Sequence, residues 1–390
     1  MARKRTRNLV AASLFLLAMP PGKAEDPPGQ PPPAASWFFA LSGDSRDCGD
    51  LIMPKIARAI EAGKGRAPVA FYWHLGDLRR MFDVDCDVAT RRHPDFNCVD
   101  RSKTPLSTYD MSDYLDNVWD DFLERQVAPF GKTQVFIGIG NHELYAQRTR
   151  ADFQRRFQKW LTQEPIHRQR GIDFPRNPYI DEGSTTFHFL MNGVDFIYLD
   201  NADGEAFTAK QLLWLGRVLA ADAKDASVKA IVLGSHAALP FSTGRDHAMD
   251  STCQGRCTGQ QVYDMLYRAQ NIEGPAAERK KVYVFASHQH YFRENVFDTP
   301  EHRGQVLPGW IVGTAGAQQY ESPIRYGYLE VEVRPDGTLV PTFRQVTRES
   351  LPLATGPGAE NLTRFCFTDN LRSGAPREPA PLECACGAIK

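Results

Sequence analysis

The chain has 390 residues, enough for one large domain or two ordinary ones. Hydrophobic residues make up 42% and charged residues 24%, a balance that supports a packed core and excludes global disorder. With 46 basic against 47 acidic residues the formal charge is −1, which excludes a protein that coats nucleic acid through its phosphates.

Residues 1–24 read as a secretory signal peptide. Arg3, Lys4, Arg5 and Arg7 precede the apolar run Leu9–Met19, and Gly22-Lys23-Ala24 offers small residues for cleavage. The run is too short for a membrane span, so no stable span is expected after cleavage; an uncleaved anchor is the alternative. The mature chain would hold 41 basic and 47 acidic residues, a formal charge of −6. Any attraction for phosphate must then be local rather than spread over the surface. The expected location is secreted or periplasmic, where cysteines pair. Cys86 with Cys98 and Cys253 with Cys257 would close short loops, and Cys366 with Cys384 or Cys386 would staple the tail. Spacing leaves the pairing open, and it fits a zinc ribbon poorly.

Residues 25–36 form a Pro-rich linker. From Trp37 on, short apolar runs predict strands at Trp37–Leu41, Val69–Trp73, Gln134–Ile139, Ala230–Leu233 and Lys281–Ala286. Three- and four-residue periodicity predicts helices at Leu51–Ala62, Tyr114–Val127, Phe153–Leu161 and Ala209–Ala221, the last opened by a Thr208/Gln211 capping box. Asn192-Gly193 and Pro335-Asp336-Gly337 predict hairpins, joining Thr186–Met191 to Val194–Leu199 and Tyr328–Val333 to Thr338–Phe343. The fold class is α/β: a four-layer α/β/β/α sandwich of two mixed β-sheets flanked by helices. The domain expectation is one catalytic domain over 37–349 and a Cys-containing tail over 350–390.

The five predicted strands all run into polar residues: Gly43-Asp44, Gly76-Asp77, Gly140-Asn141-His142-Glu143, Gly234-Ser235-His236 and Ser287-His288-Gln289-His290. Ligand sites in α/β sheets form beyond the carboxyl ends of strands. Singly, each motif reads as a turn or a helix cap. Together they bring oxygen and imidazole donors to one edge, a mixture suited to zinc, manganese or iron.

Their order resembles the calcineurin-like metallophosphoesterase superfamily, which includes the purple acid phosphatases. The resemblance spans Trp37 to Gly316 and is most specific at Gly140-Asn141-His142-Glu143, with Gly313-Thr314-Ala315-Gly316 in place of the family's Gly-rich loop. It implies two divalent or trivalent metal ions (Fe, Zn or Mn) bridged by Asp77. Asp44 and His290 would serve the first ion, and Asn141, His236 and His288 the second. His142 would stabilise the transition state or protonate the leaving group while a metal-bound hydroxide attacks phosphorus in line. The implied activity is that of a metal-dependent phosphoric ester hydrolase acting on small-molecule phosphate monoesters. Alternatives are a phosphodiesterase on the same scaffold or a degenerate, non-catalytic phosphate- or metal-binding protein.

Two positions depart from the family. Arg46 stands where many members have a metal-ligating His, and a guanidinium cannot be deprotonated to bind metal. Arg80 stands where purple acid phosphatases have a Tyr and other members an Asp. Arg46 with Arg79 or Arg80 is expected to hold the substrate phosphate, against a reading as salt bridges to Asp47, Asp50 or Asp83. Asp83, Asp85 and Asp87 are either an outside metal donor or part of an exposed loop held by Cys86 and Cys98. Glu143 could orient His142, and His74 is expected to support the site rather than ligate. Tyr109, Tyr114, Phe241 and Tyr263 are candidates to line the cleft.

Overall fold

Runs rich in Val, Ile and Phe pack best on a pleated surface buried on both sides, and here they build two sheets. The computed structural model describes residues 35–63, 67–103, 106–174, 176–244, 247–271, 275, 279–351, 357–372 and 383–386. The signal peptide and residues 25–34 of the Pro-rich linker lie outside them. In chain order the first half holds β1 (Trp37–Ser42), α1 (Gly49–Glu61), β2 (Val69–His74), α2 (Cys86–Arg92), α3 (Thr108–Phe122), β3 (Gln134–Ile137), α4 (Arg150–Leu161) and α5 (Glu164–Asp173). The second half holds β4 (Phe187–Met191), β5 (Val194–Leu199), α6 (Ala209–Asp222), β6 (Ala230–Ser235), α7 (Cys253–Asn271), β7 (Lys281–Ala286), β8 (Phe292–Glu294), β9 (Gly309–Val312), β10 (Tyr326–Val333), β11 (Leu339–Val346) and α8 (Pro357–Arg364).

One sheet has the order β11-β10-β1-β2-β3 and the other β4-β5-β6-β7-β9-β8. Both are mixed: β1, β2 and β3 run parallel with β10 antiparallel to β1, and β5, β6, β7 and β9 run parallel with β4 and β8 antiparallel. The sheets meet through aromatic rings. Phe39 of β1 and Phe71 of β2 each lie 5.0 Å from Phe196 of β5, and Phe136 of β3 stacks on Phe189 of β4 at 4.2 Å. On β7, Tyr283 and Phe285 join this inter-sheet core, while Val282, Val284 and Ala286 face the second core with Leu212 and Leu215 of α6 and Val262 and Leu266 of α7. That alternation is the period-two rule read on a sheet covered on both faces. Burying each such Phe contributes about 1.5–3 kcal/mol. Gly234 is required where the sheets touch, since a Cβ there would lie 2.6 Å from Trp73 Cη2.

All four predicted helices and both hairpins are present. Asn192 and Gly193 take φ of 49° and 80°, the left-handed pair that a two-residue turn needs. The Thr208 hydroxyl accepts the Gln211 N–H, as the capping box requires. Helices α2, α5, α7 and α8 were not expected. In α7 the apolar stripe Val262–Leu266–Ala269 is diluted by Gly255, Gly259 and glutamines, so its periodicity is weak.

The cysteine expectations need correction. Cys86 bonds Cys98, but Cys253 bonds Cys384, Cys257 bonds Cys386, and Cys48 bonds Cys366. Cys253 and Cys257 share a face of α7, where Cβ atoms four residues apart stand about 5–6 Å from each other, too far for a disulfide. Four residues of helix rise about 6 Å and two residues of extended chain span about 6.6 Å, so Cys-x3-Cys on the helix matches Cys-x-Cys on the tail. The Cys48 bridge and α8 return the C-terminal segment to the start of α1. No helix among the described residues is long and apolar enough to cross a membrane.

Candidate metal centre

The carboxyl ends of β1, β2, β3, β6 and β7 converge on one edge of the sandwich, and their loops hold one another by main-chain hydrogen bonds. The Asp44 N–H donates to Gly76 O and the Ser45 N–H to Asp77 O, both at 3.0 Å. The Ala317 N–H donates to Asp44 O at 2.9 Å. Asp44, Asp77 and His288 take φ of 61°, 59° and 67°. A left-handed non-glycine residue costs about 1–2 kcal/mol, so three of the expected ligands sit at strained positions.

Asp77 is wholly buried, and its Oδ1 accepts the His142 N–H at 3.0 Å and faces His236 Nε2 at 3.2 Å. Asn141 Oδ1 lies 3.1 Å from the same His236 nitrogen. Asp44 Oδ2 accepts the His288 N–H at 2.7 Å, and its Oδ1 lies 3.2 Å from His290 Nε2. Six expected ligands therefore come together, with His142 beside them. One donor group within this set, Asp44, Asp77, His236 and His288, places its ligand atoms within 4.8 Å of one another.

Carbonyl oxygens set the imidazole tautomers. Nδ1 of His236 faces Leu75 O at 3.1 Å, Nδ1 of His290 faces Gln318 O at 2.6 Å, and Nδ1 of His142 faces Arg80 O at 2.5 Å. A carbonyl only accepts, so each Nδ1 carries a hydrogen, and each ring in its neutral form turns a lone pair on Nε2 to the centre. Among the described residues, His236 Nε2 faces the Asp77 carboxylate and the Asn141 amide oxygen. Burial alone would push this imidazole down, but the Asp77 charge outweighs it and raises it to about 9. A metal ion would relieve that position by replacing the proton. Asp44 Oδ1, Asp77 Oδ2 and His288 Nδ1 are buried atoms with no hydrogen-bond partner among the described residues. Orphan oxygens beside imidazole lone pairs are a donor set that fits a transition-metal ion.

The arginines do different things from one another. The Arg46 guanidinium lies inside the ligand set: Nη2 is 2.5 Å from His290 Nε2, 3.5 Å from Asp77 Oδ2 and 3.9 Å from Asp44 Oδ1. Its Nη1 donates to His142 Nε2. Burial opposes this charge, but Asp77 and Asp44 hold it on, well above its ordinary value. Arg79 has no exposure and bonds Asp50 at 2.8 Å, Asp87 at 3.1 Å and Asp121 at 2.5 Å. It is buried in the ion network and does not line the cavity, which corrects the expectation that it could take phosphate. Arg80 lines the cavity and pairs with Asp47 at 2.9 Å.

Asp85 and Asp87 are buried, not on an exposed loop. The Asp85 carboxylate accepts from Asp47 N, Arg80 N and the Tyr114 hydroxyl, and Asp87 serves Arg79, so neither is spare for a metal. Glu143 is not spent on His142: it accepts the N–H groups of Asp77, Leu78 and Gly140 at 3.0, 2.9 and 2.7 Å. Burial pushes its carboxyl up to about 8. His74 does support the site, with Nε2 3.0 Å from Ser45 Oγ.

The cavity over the centre has a volume of about 380 Å³. Several of its walls come from residues with no motif. Glu205 Oε1 lies 3.1 Å from His288 Nε2, and the His247 ring lies 4.8 Å from His288. Phe82 and Tyr145 flank His142, with ring centroids 5.2 and 4.8 Å away, and both are exposed. Arg372, from the segment tied by Cys366, stacks over Tyr320 at 4.9 Å. The aromatic candidates named from sequence lie elsewhere: Tyr114 is buried against Asp85, Tyr263 stacks on His302, and Phe241 packs against Arg256. The Tyr109 side chain lies outside the described residues.

No family model matches the chain, and no curated protein matches it. Two solved structures are similar to it. One is a purple acid phosphatase from yellow lupin (Lupinus luteus) seeds, 12% identical, covering 80% of this chain and 52% of that one, with a TM-score of 0.46. The other is a protein from Staphylococcus aureus assigned as a 5'-nucleotidase, in complex with alpha-ketoglutarate. It is 13% identical, covering 85% of this chain and 58% of that one, with a TM-score of 0.44. The chain thus spans little more than half the length of either.

Proposed function

We propose that the chain is an exported, metal-dependent phosphoesterase that hydrolyses small-molecule phosphate monoesters to an alcohol and inorganic phosphate. The observation that carries this reading is the convergence of Asp44, Asp77, Asn141, His236, His288 and His290 at one sheet edge, with buried orphan oxygens and imidazole lone pairs aimed inward. In this reading 37–349 is the catalytic unit, 350–390 its Cys-containing tail, and 1–24 the export signal, in keeping with eight cysteines that are all paired.

The donors divide into two cation positions that share Asp77. Asn141, His236 and His288 would hold an ion in one; Asp44 and His290 face the other, where the Arg46 guanidinium lies. A bound transition-metal ion supplies a Lewis acid for the phosphoryl oxygens and lowers the pKa of water it binds. The chain's own groups do the rest. Arg46 and Arg80 present N–H groups to a phosphate entering the cavity. His142, held through Nδ1 by Arg80 O, would stabilise the departing ester oxygen as the imidazolium, with Nε2 released from Arg46 Nη1 and protonated. Phe82 and Tyr145, set edge to face at 73°, offer an aromatic wall for the leaving group.

The test is turnover of an aryl phosphate and of a bis-aryl diester with Mn, Zn, Fe or Mg across pH 5–9. Faster cleavage of the monoester is expected, and Asp77→Asn or His142→Ala should nearly abolish it. A preference for the diester would overturn the choice of substrate class. No hydrolysis with any metal would leave a binding protein instead.

A further inference from the structure

We infer that the Arg46 guanidinium takes the place of one of the two metal ions, so that the centre works with a single ion at Asp77, Asn141, His236 and His288. The inference rests on the phosphoesterase reading and departs from it in the number of ions.

The geometry is specific. The three groups that would hold the first ion already face a cation belonging to the chain: His290 Nε2 at 2.5 Å, Asp77 Oδ2 at 3.5 Å and Asp44 Oδ1 at 3.9 Å from Arg46 Nη2. His290 cannot turn its other nitrogen inward, because Nδ1 is held on Gln318 O at 2.6 Å. Its Nε2 lone pair therefore points at a guanidinium N–H. An ion bound here needs donors at about 2.0–2.2 Å, and Nη2 fills that volume. The backbone around Arg46 is pinned, with the Ser45 N–H on Asp77 O and the Cys48 N–H on Arg46 O at 2.7 Å. The residue is buried, so the side chain is packed in place rather than lying on the rim.

Electrostatics act in the same direction: the Arg46 guanidinium already sits 3.5 Å from Asp77 and 3.9 Å from Asp44, and an ion in that position would meet a buried positive charge at close range. Nor can Arg46 yield by deprotonation, since guanidinium stays charged. A guanidinium replaces part of what an ion does. It neutralises phosphoryl oxygens and donates a fixed fork of hydrogen bonds, as arginines do in phosphoryl transfer. It does not acidify water, so water activation falls to the single ion.

The test counts metal, independently of turnover. The full mature chain is loaded with Mn²⁺ or Zn²⁺, freed of excess, and measured by elemental analysis and native mass spectrometry. The wild type should carry about one ion, Arg46→Ala and Arg46→His about two, and Asp77→Asn close to none. About two ions in the wild type would overturn the inference while leaving the phosphoesterase reading intact. An unchanged count of one in both Arg46 variants would also overturn it, because the first position would then not be a metal position. A wild type with one ion and no phosphoester turnover would instead defeat the phosphoesterase reading, with the count standing. The wild-type count decides even if an Arg46 variant fails to fold.

Discussion

The Glu143 carboxylate accepts the Asp77 main-chain N–H at 3.0 Å, and through Leu78 and Gly140 it splices the loop after β2 to the loop after β3. Asp77 sits there at a φ of 59°, so this carboxylate holds a strained residue in place. Glu143→Ala should leave three buried donors unsatisfied and cost about 3 kcal/mol or more in stability. It should also weaken metal binding about 10–100-fold, as loss of a supporting group does. Urea denaturation and a metal titration check both, and unchanged metal affinity would show that the splice does not position Asp77.

Arg79 and Arg80 are neighbours with opposite expected phenotypes. Arg79 is a buried hub for Asp50, Asp87 and Asp121, so Arg79→Ala should cost about 3–5 kcal/mol by stranding buried carboxylates. Arg80 lines the cavity, so Arg80→Ala should raise KM for a phosphoester with a small change in melting temperature. Steady-state kinetics beside thermal melts separate the two, and a stable Arg79→Ala protein with a raised KM would reverse the assignment.

A second charged cluster lies away from the metal centre. His188 is buried between Asp195, at 2.8 Å from Nδ1, and Asp173, at 2.6 Å from Nε2. Burial would lower its pKa, but the Asp195 charge and the two hydrogen bonds raise it to about 10. Asp222 is also raised to about 10, by burial and then by Asp195. Both groups bind a proton more tightly folded than unfolded. The His188 contribution is complete below about pH 6.5 and fades as the pH climbs toward 10. Unfolding free energy should therefore fall between pH 6.5 and 9.5, on the order of 1 kcal/mol per unit for each of the two groups. His188→Gln should remove the His188 share of that slope and leave the Asp222 share. Denaturant titrations at several pH values measure it, and a rising slope would refute the assignment.

Phe82 and Tyr145 are exposed aromatic rings beside His142. A leaving group that stacks on them should be favoured, so Phe82→Ala with Tyr145→Ala should raise KM for an aryl phosphate several-fold. A small alkyl phosphate should be little affected. Equal losses on both substrates would point to a role in folding or in placing His142.

Much of the site was legible because its signals are local. A buried strand in this class announces itself by a run of apolar residues, and the residue that follows each run is fixed by chain connectivity alone. Asp44, Asp77, Asn141, His142, His236, His288 and His290 could thus be picked out together, in their order along the chain, although each motif by itself reads as a turn or a helix cap. Glu205, His247, Phe82 and Tyr145 carried no such signal, since each reaches the cavity from a loop of no particular pattern. Helices α5 and α7 were missed because polar and glycine residues blur their stripes, and tertiary packing supplies the stability that periodicity did not reveal.

By itself the sequence determined the α/β class, the two hairpins and the order in which ligand-type residues arrive, because alternation, turn chemistry and strand ends are properties of neighbouring residues. Only the tertiary structure decided where long side chains and distant cysteines ended up. Arg79 went into an acidic core and Arg46 into the ligand set; Cys48 found Cys366 across 318 residues. These outcomes depend on which charges and which faces meet in space, and burial makes an unpaired charge too costly to be left wherever the sequence happens to place it.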